Sequence, residues 1–61
     1  MIELIGIELG SRLHIVGGIT AEVVEIVNDE WVRVRLVDVP EGAATVGTEE
    51  LCHATDIIEI A

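Results

Sequence analysis

Residues 21–37 read Ala21-Glu22-Val23-Val24-Glu25-Ile26-Val27-Asn28-Asp29-Glu30-Trp31-Val32-Arg33-Val34-Arg35-Leu36-Val37. Two runs rich in β-branched residues flank three polar ones, the pattern of two strands joined by a tight turn. A loop of Asn28 to Glu30 sets Val27 opposite Trp31, Ile26 opposite Val32, Glu25 opposite Arg33 and Val24 opposite Val34. This register predicts a core face of Val24, Ile26, Val32 and Val34. It also makes Glu25–Arg33 an attractive cross-strand pair, worth roughly a few tenths of a kcal/mol. A slip of one residue would carry charge onto the core face. The opposite face then carries Val23, Val27, Trp31 and Val37 among the charges. Antiparallel sheets with one wet face are polar on it, so these four are expected to be covered, in part by the barrel folding over and for the rest by another subunit. Trp31 serves there as anchor, as tryptophan does in binding hot spots; the alternative is Trp31 lying over the end of the core.

Outward from this hairpin, the chain alternates short apolar runs with glycine. Arg12 to Val16 has Leu13 and Ile15 on one face, a period of two. Gly17-Gly18 then allows a turn with positive φ. Ile2 to Ile7 reads as a further strand ahead of Gly10-Ser11. Beyond Asp38, Val39-Pro40-Glu41-Gly42 is a loop. Ala43 to Val46 is expected to be a short strand. Thr48-Glu49-Glu50-Leu51 is expected to be a helical or 3₁₀ turn capped by Thr48. Thr55 to Ile60 forms the last strand, with Ile58 and Ile60 on one face and Ile57 and Glu59 on the other.

With 61 residues the chain makes one domain, residues 1–61. Domains this small bury only about 60 % of the surface their unfolded chains expose. The usual staples are disulfides, a metal or a partner subunit. The single Cys52 excludes an intrachain disulfide, and no ligand spacing suggests a metal. Yet 51 % of the residues are hydrophobic, more than a lone small sheet can hide. A homo-oligomer is therefore expected.

Twelve carboxylates against three arginines and no lysine give a net charge of −9. Binding a polyanion needs cations to displace its counterions, so neither nucleic acid nor an anionic membrane is an expected partner. The acidity reads first as a solubility feature, which a salt-loving source would also produce, and as the alternative it suits a basic protein or peptide. Met1-Ile2-Glu3-Leu4 lacks the basic and apolar regions of a secretory signal. No apolar run approaches ~20 residues. With one unpaired cysteine, a cytoplasmic setting is expected.

The glycine bend leading into a long strand, Gly17-Gly18-Ile19-Thr20-Ala21-Glu22-Val23-Val24, resembles the SH3-like small barrels, KOW and Tudor-type domains included. The hairpin to Trp31-Val32-Arg33-Val34-Arg35-Leu36, the turn at Thr48 to Leu51 and the final strand extend the resemblance over residues 10–60. It implies an all-β fold: a five-stranded, strongly bent antiparallel barrel with one short 3₁₀ or helical turn. Its members' functions do not carry over easily. Trp31 alone cannot line a proline-peptide groove or build a methyl-lysine cage. KOW domains near RNA are usually basic, and this chain is acidic. The plasmid type of dihydrofolate reductase is similar in size and architecture, an oligomer around a pore, but its pore-lining pattern is missing.

No residue set declares a reaction. Cys52 and His53 are neighbours that an extended chain points to opposite sides, so Cys52 reads as a small buried hydrophobe. His14, His53 and Cys52 match no zinc spacing. Arg33 and Arg35 share a strand face and could hold a phosphate or carboxylate; pairing with Glu22 or Glu25 is the simpler reading. The chain is thus expected to be a non-enzymatic interaction module without cofactor or metal, which self-associates and binds a protein or peptide. The alternative is an oligomer that binds a small ligand, or catalyses, in a shared pore or cleft. A KOW-like association with nucleic acid is disfavoured by charge.

Overall fold

The structure, a computed structural model, describes residues 7–42 and 45–61. These hold five strands and one 3₁₀ turn: β1 Arg12–Ile15, β2 Ile19–Ile26, β3 Trp31–Asp38, β4 Glu49–His53, the turn Ala54–Asp56 and β5 Ile57–Ile60. The strands form one antiparallel sheet in the order β4-β3-β2-β1-β5. No ladder joins β4 to β5, so the sheet is not closed by hydrogen bonds among the described residues. Among the described residues no helix is long and apolar enough to cross a membrane.

The central hairpin forms, with a correction to its register. Ile26 pairs with Val32 and Glu25 with Arg33, but Val34 pairs with Val23, not Val24. Val24 is the extra residue of a β-bulge. The reason lies in the positions of the charges. Glu22 and Glu25 are three apart, an odd spacing that a regular strand must split between its faces. The unbulged register would have set Glu22 opposite Leu36, on the core side, where an unpaired carboxylate is costly. One extra residue turns both glutamates outward, Glu22 opposite Arg35 and Glu25 opposite Arg33. It also moves Val23 from the outer face to the core, where it is 1 % exposed, and leaves Val24 half-buried.

Two further irregularities follow. Thr20 pairs with Asp38 and Ala21 with Leu36, which leaves Val37 as an extra residue of β3. His14 pairs with Glu59 and Ile15 with Ile57, which leaves Ile58 as an extra residue of β5. This regroups the expected faces of the last strand: Ile57, expected beside Glu59, shares the side of Ile60 opposite the core residues Ile15 and Leu13, and Glu59 faces out. Bulges bend strands and raise their twist. The bending lets one sheet gather a single core of Ile7, Leu13, Ile15, Ala21, Val23, Val32, Val34, Leu36, Cys52 and Ile57.

The connections use the expected chemistry. Gly17 and Gly18 take φ +89° and +76° between β1 and β2, a region open to glycine and strained for other residues. Asn28 closes the β2–β3 hairpin: its Oδ1 accepts the Glu30 N–H at 2.8 Å and the Trp31 N–H at 3.0 Å. The helical turn expected at Thr48 to Leu51 is instead the start of β4. Glu49 pairs with Arg35 and Leu51 with Arg33, so cross-strand partners outweigh the weak strand preference of two glutamates. The 3₁₀ turn comes five residues later, and the His53 side chain caps it. Thr45 and Val46 are not in a strand. Residues 43 and 44, and the first strand expected at Ile2 to Ile7 apart from the buried Ile7, lie outside the described residues.

Candidate functional site

The outer face of the sheet is built around the arginines. Arg12 on β1 stands opposite Glu22, Glu22 opposite Arg35, and Arg35 opposite Glu49 on β4. Charge therefore alternates in sign across four strands. The Arg33 Nε donates to Glu25 Oε1 at 3.1 Å, and Arg35 lies 3.9 Å from Glu22. These exposed pairs each contribute about 0.2–1 kcal/mol. Arg33 and Arg35 are held in this ladder by their own chain's carboxylates.

The four residues expected as an outer stripe do not lie together. Val23 is in the core. Val37 sits at a bulge beyond Arg33 and Arg35, six positions along β3 from Trp31, about 20 Å at the rise of a strand. Val27 and Trp31 do meet: the Val27 N–H donates to the Trp31 carbonyl at 3.1 Å. Val27 is 46 % exposed and Trp31 38 %. They gain a neighbour the sequence reading missed. Leu51, 55 % exposed, lies on the outer face opposite Arg33, two pairs along from Trp31–His53. The glutamates at 49 and 50 mask the alternation Leu51-Cys52-His53, which opposite Trp31-Val32-Arg33 places Leu51 outward.

His53 fixes this end of the sheet. Its ring meets Trp31 edge-on, with centroids 4.8 Å apart and planes at 80°. Nδ1 accepts the Thr55 N–H at 3.1 Å and lies 2.8 Å from the Thr55 hydroxyl. That places the neutral ring's proton on Nε2, which points to the Glu30 carboxylate at 3.3 Å. The Ala54 N–H donates to the Glu30 carbonyl at 2.8 Å, so the hairpin turn and the 3₁₀ turn are locked together beneath Trp31.

Cys52 faces away from His53, into the core, 5 % exposed. Burial first, then the Asp56 carboxylate, pushes its thiol up to about 11. A thiol so held is protonated at neutral pH and a poor nucleophile. Among the described residues no three histidine, cysteine or acidic side chains gather as metal ligands. On the other side of the sheet a cleft of about 180 Å³ opens between the end of β1, the 3₁₀ turn and β4. Its walls are aliphatic, with Glu50 and Asp56 as its carboxylates. Comparison of the chain with protein-family models, with curated proteins and with solved structures finds no match.

Proposed function

We infer that this chain is a small acidic interaction module of the SH3-like layout, non-enzymatic, which self-associates and binds a basic protein or peptide. Support for the layout comes from the strand order, the three bulges that bend the sheet, and the 3₁₀ turn before the last strand. The observation that carries self-association is the exposed group of Val27, Trp31 and Leu51 on a face otherwise laddered with charge. Aromatic residues packed rigidly, as Trp31 is by His53, lose little freedom on binding and anchor interfaces. Acidity supports the basic partner: nine excess negative charges attract cations.

The two associations have opposite salt dependence. Copies carrying −9 each repel one another, and salt screens that repulsion; a basic partner is instead drawn by the same charge. Sedimentation equilibrium of the chain alone, at low and high salt, tests the first half. Dimers that tighten with salt and are lost in Trp31→Ala are expected. A monomer at all concentrations and salts refutes self-association.

A further inference from the structure

The three arginines all stand on the outer face, opposite glutamates. The cleft on the inner side has no such cation, and among the described residues neither Glu50 nor Asp56 is in a salt bridge. Glu50 pairs with Val34, a core residue, so it points to the inner side of the sheet. An inward carboxylate on an edge strand, at the mouth of a cleft floored by Ile15, Ile19, Val34 and Leu36, needs a reason. The edge itself offers one. The Leu36 N–H donates to the Thr48 carbonyl, and the Ala54 N–H to the Glu30 carbonyl. These bonds make 48, 50, 52 and 54 the hydrogen-bonded positions of β4. By the antiparallel alternation, Glu49, Leu51 and His53 turn their N–H and C=O groups away from β3, and no ladder among the described residues takes them up.

The geometry points to an extended basic peptide as the occupant of this edge. Its backbone pairs with the outward groups of Glu49, Leu51 and His53, and one lysine or arginine side chain enters the cleft. The alkyl stem lies on Ile15, Ile19 and Leu36, and the cation meets Glu50 and Asp56. Strand addition supplies affinity through the main chain and selectivity through alternate side-chain pockets. Long cationic side chains combine an apolar stem with a charged head, the two halves of this cleft. The inference rests on the basic-partner reading above and names its site.

The test uses the whole chain, isotope-labelled, and two synthetic peptides, one alternating valine with lysine and one alternating valine with glutamate. At low ionic strength the lysine peptide is expected to shift the amide resonances of residues 49–53 together with Val16 and Asp56, weakening as salt rises. Glu50→Gln and Asp56→Asn are each expected to weaken it about two- to fivefold, the range of exposed ion pairs. The glutamate peptide is expected not to bind. Shifts spread over other acidic segments, or binding indifferent to both substitutions, would mean general attraction to a −9 chain and overturn the site. The same shifts on concentrating the chain alone would make a second copy the occupant, and overturn it too. Lysine-peptide binding that survives Trp31→Ala, with self-association lost, keeps the two readings separate; failure of the peptide with dimers intact removes only the cleft.

Discussion

Val23 and Val24 are identical neighbours with different places in the fold, and replacing each by alanine tests the register. Val23→Ala removes two methyl groups from a site 1 % exposed. At about 0.8 kcal/mol per buried carbon, with a cavity term added, the loss is about 2–3 kcal/mol. Val24 is the half-buried bulge residue, outside the ladder, and Val24→Ala is expected to cost under about 1 kcal/mol. A domain of 61 residues is held by on the order of 3–9 kcal/mol. Val23→Ala therefore removes a quarter or more of the stability and lowers Tm by about 10–20 °C. Urea titration followed by the fluorescence of Trp31, with circular dichroism as a second probe, measures both variants. The Val23→Ala midpoint is expected well below that of Val24→Ala, with the slopes unchanged. An equal or larger loss for Val24→Ala would refute the bulged register and return Val24 to the core.

Asn28→Ala leaves the Glu30 and Trp31 N–H groups without their shared acceptor and is expected to cost about 1 kcal/mol; Asn28→Asp keeps the acceptor and most of the stability, which thermal melting will show. Gly18→Ala puts a Cβ at φ +76° and 3.4 Å from the Pro40 ring. A loss of about 1–2 kcal/mol is expected, and an unchanged melting temperature would contradict that turn geometry. Cys52 should resist thiol reagents in the native state and react in urea. Its raised pKa also has a sign: above the ordinary thiol value of 9.0 the unfolded chain gives up a proton that the folded chain keeps to about 11. Stability contributed by the buried thiol is thus present below 9 and lost as pH rises through that window. Denaturant midpoints of the wild type should fall more steeply there than those of Cys52→Ala.

The all-β class, the Gly17-Gly18 turn, the Asn28 reversal and the Glu25–Arg33 pair were legible because each is a local matter of propensity, φ or charge. The bulges were less so, since a period-two reading assumes an unbroken ladder. Still, Glu22 and Glu25 betrayed the one at Val24 by their odd spacing. Those at Val37 and Ile58 depend on partners distant in sequence and carry no such local sign. β4 was hidden for a similar reason. Glu49 and Glu50 are poor strand formers by themselves, and only the ladder to β3, with Arg35 opposite Glu49, shows their place. In the candidate site, Val27 and Trp31 were found from alternation, whereas Leu51 and His53 required knowing which strand lies beside β3.

The bulge at Val24 makes the hairpin sensitive to length in a way its surface position hides. It acts as a phase correction between two stretches of β2, one keeping Ala21 and Val23 inside, the other keeping Glu25 outside. Deleting Val24 alone would remove the extra residue and leave a regular strand with Ala21 and Val23 inside and Glu22 and Glu25 outside. Deleting Glu22 instead would turn either Val23 or Ala21 outward. Trimming this segment should therefore be tolerated according to which residue is removed more than by how many.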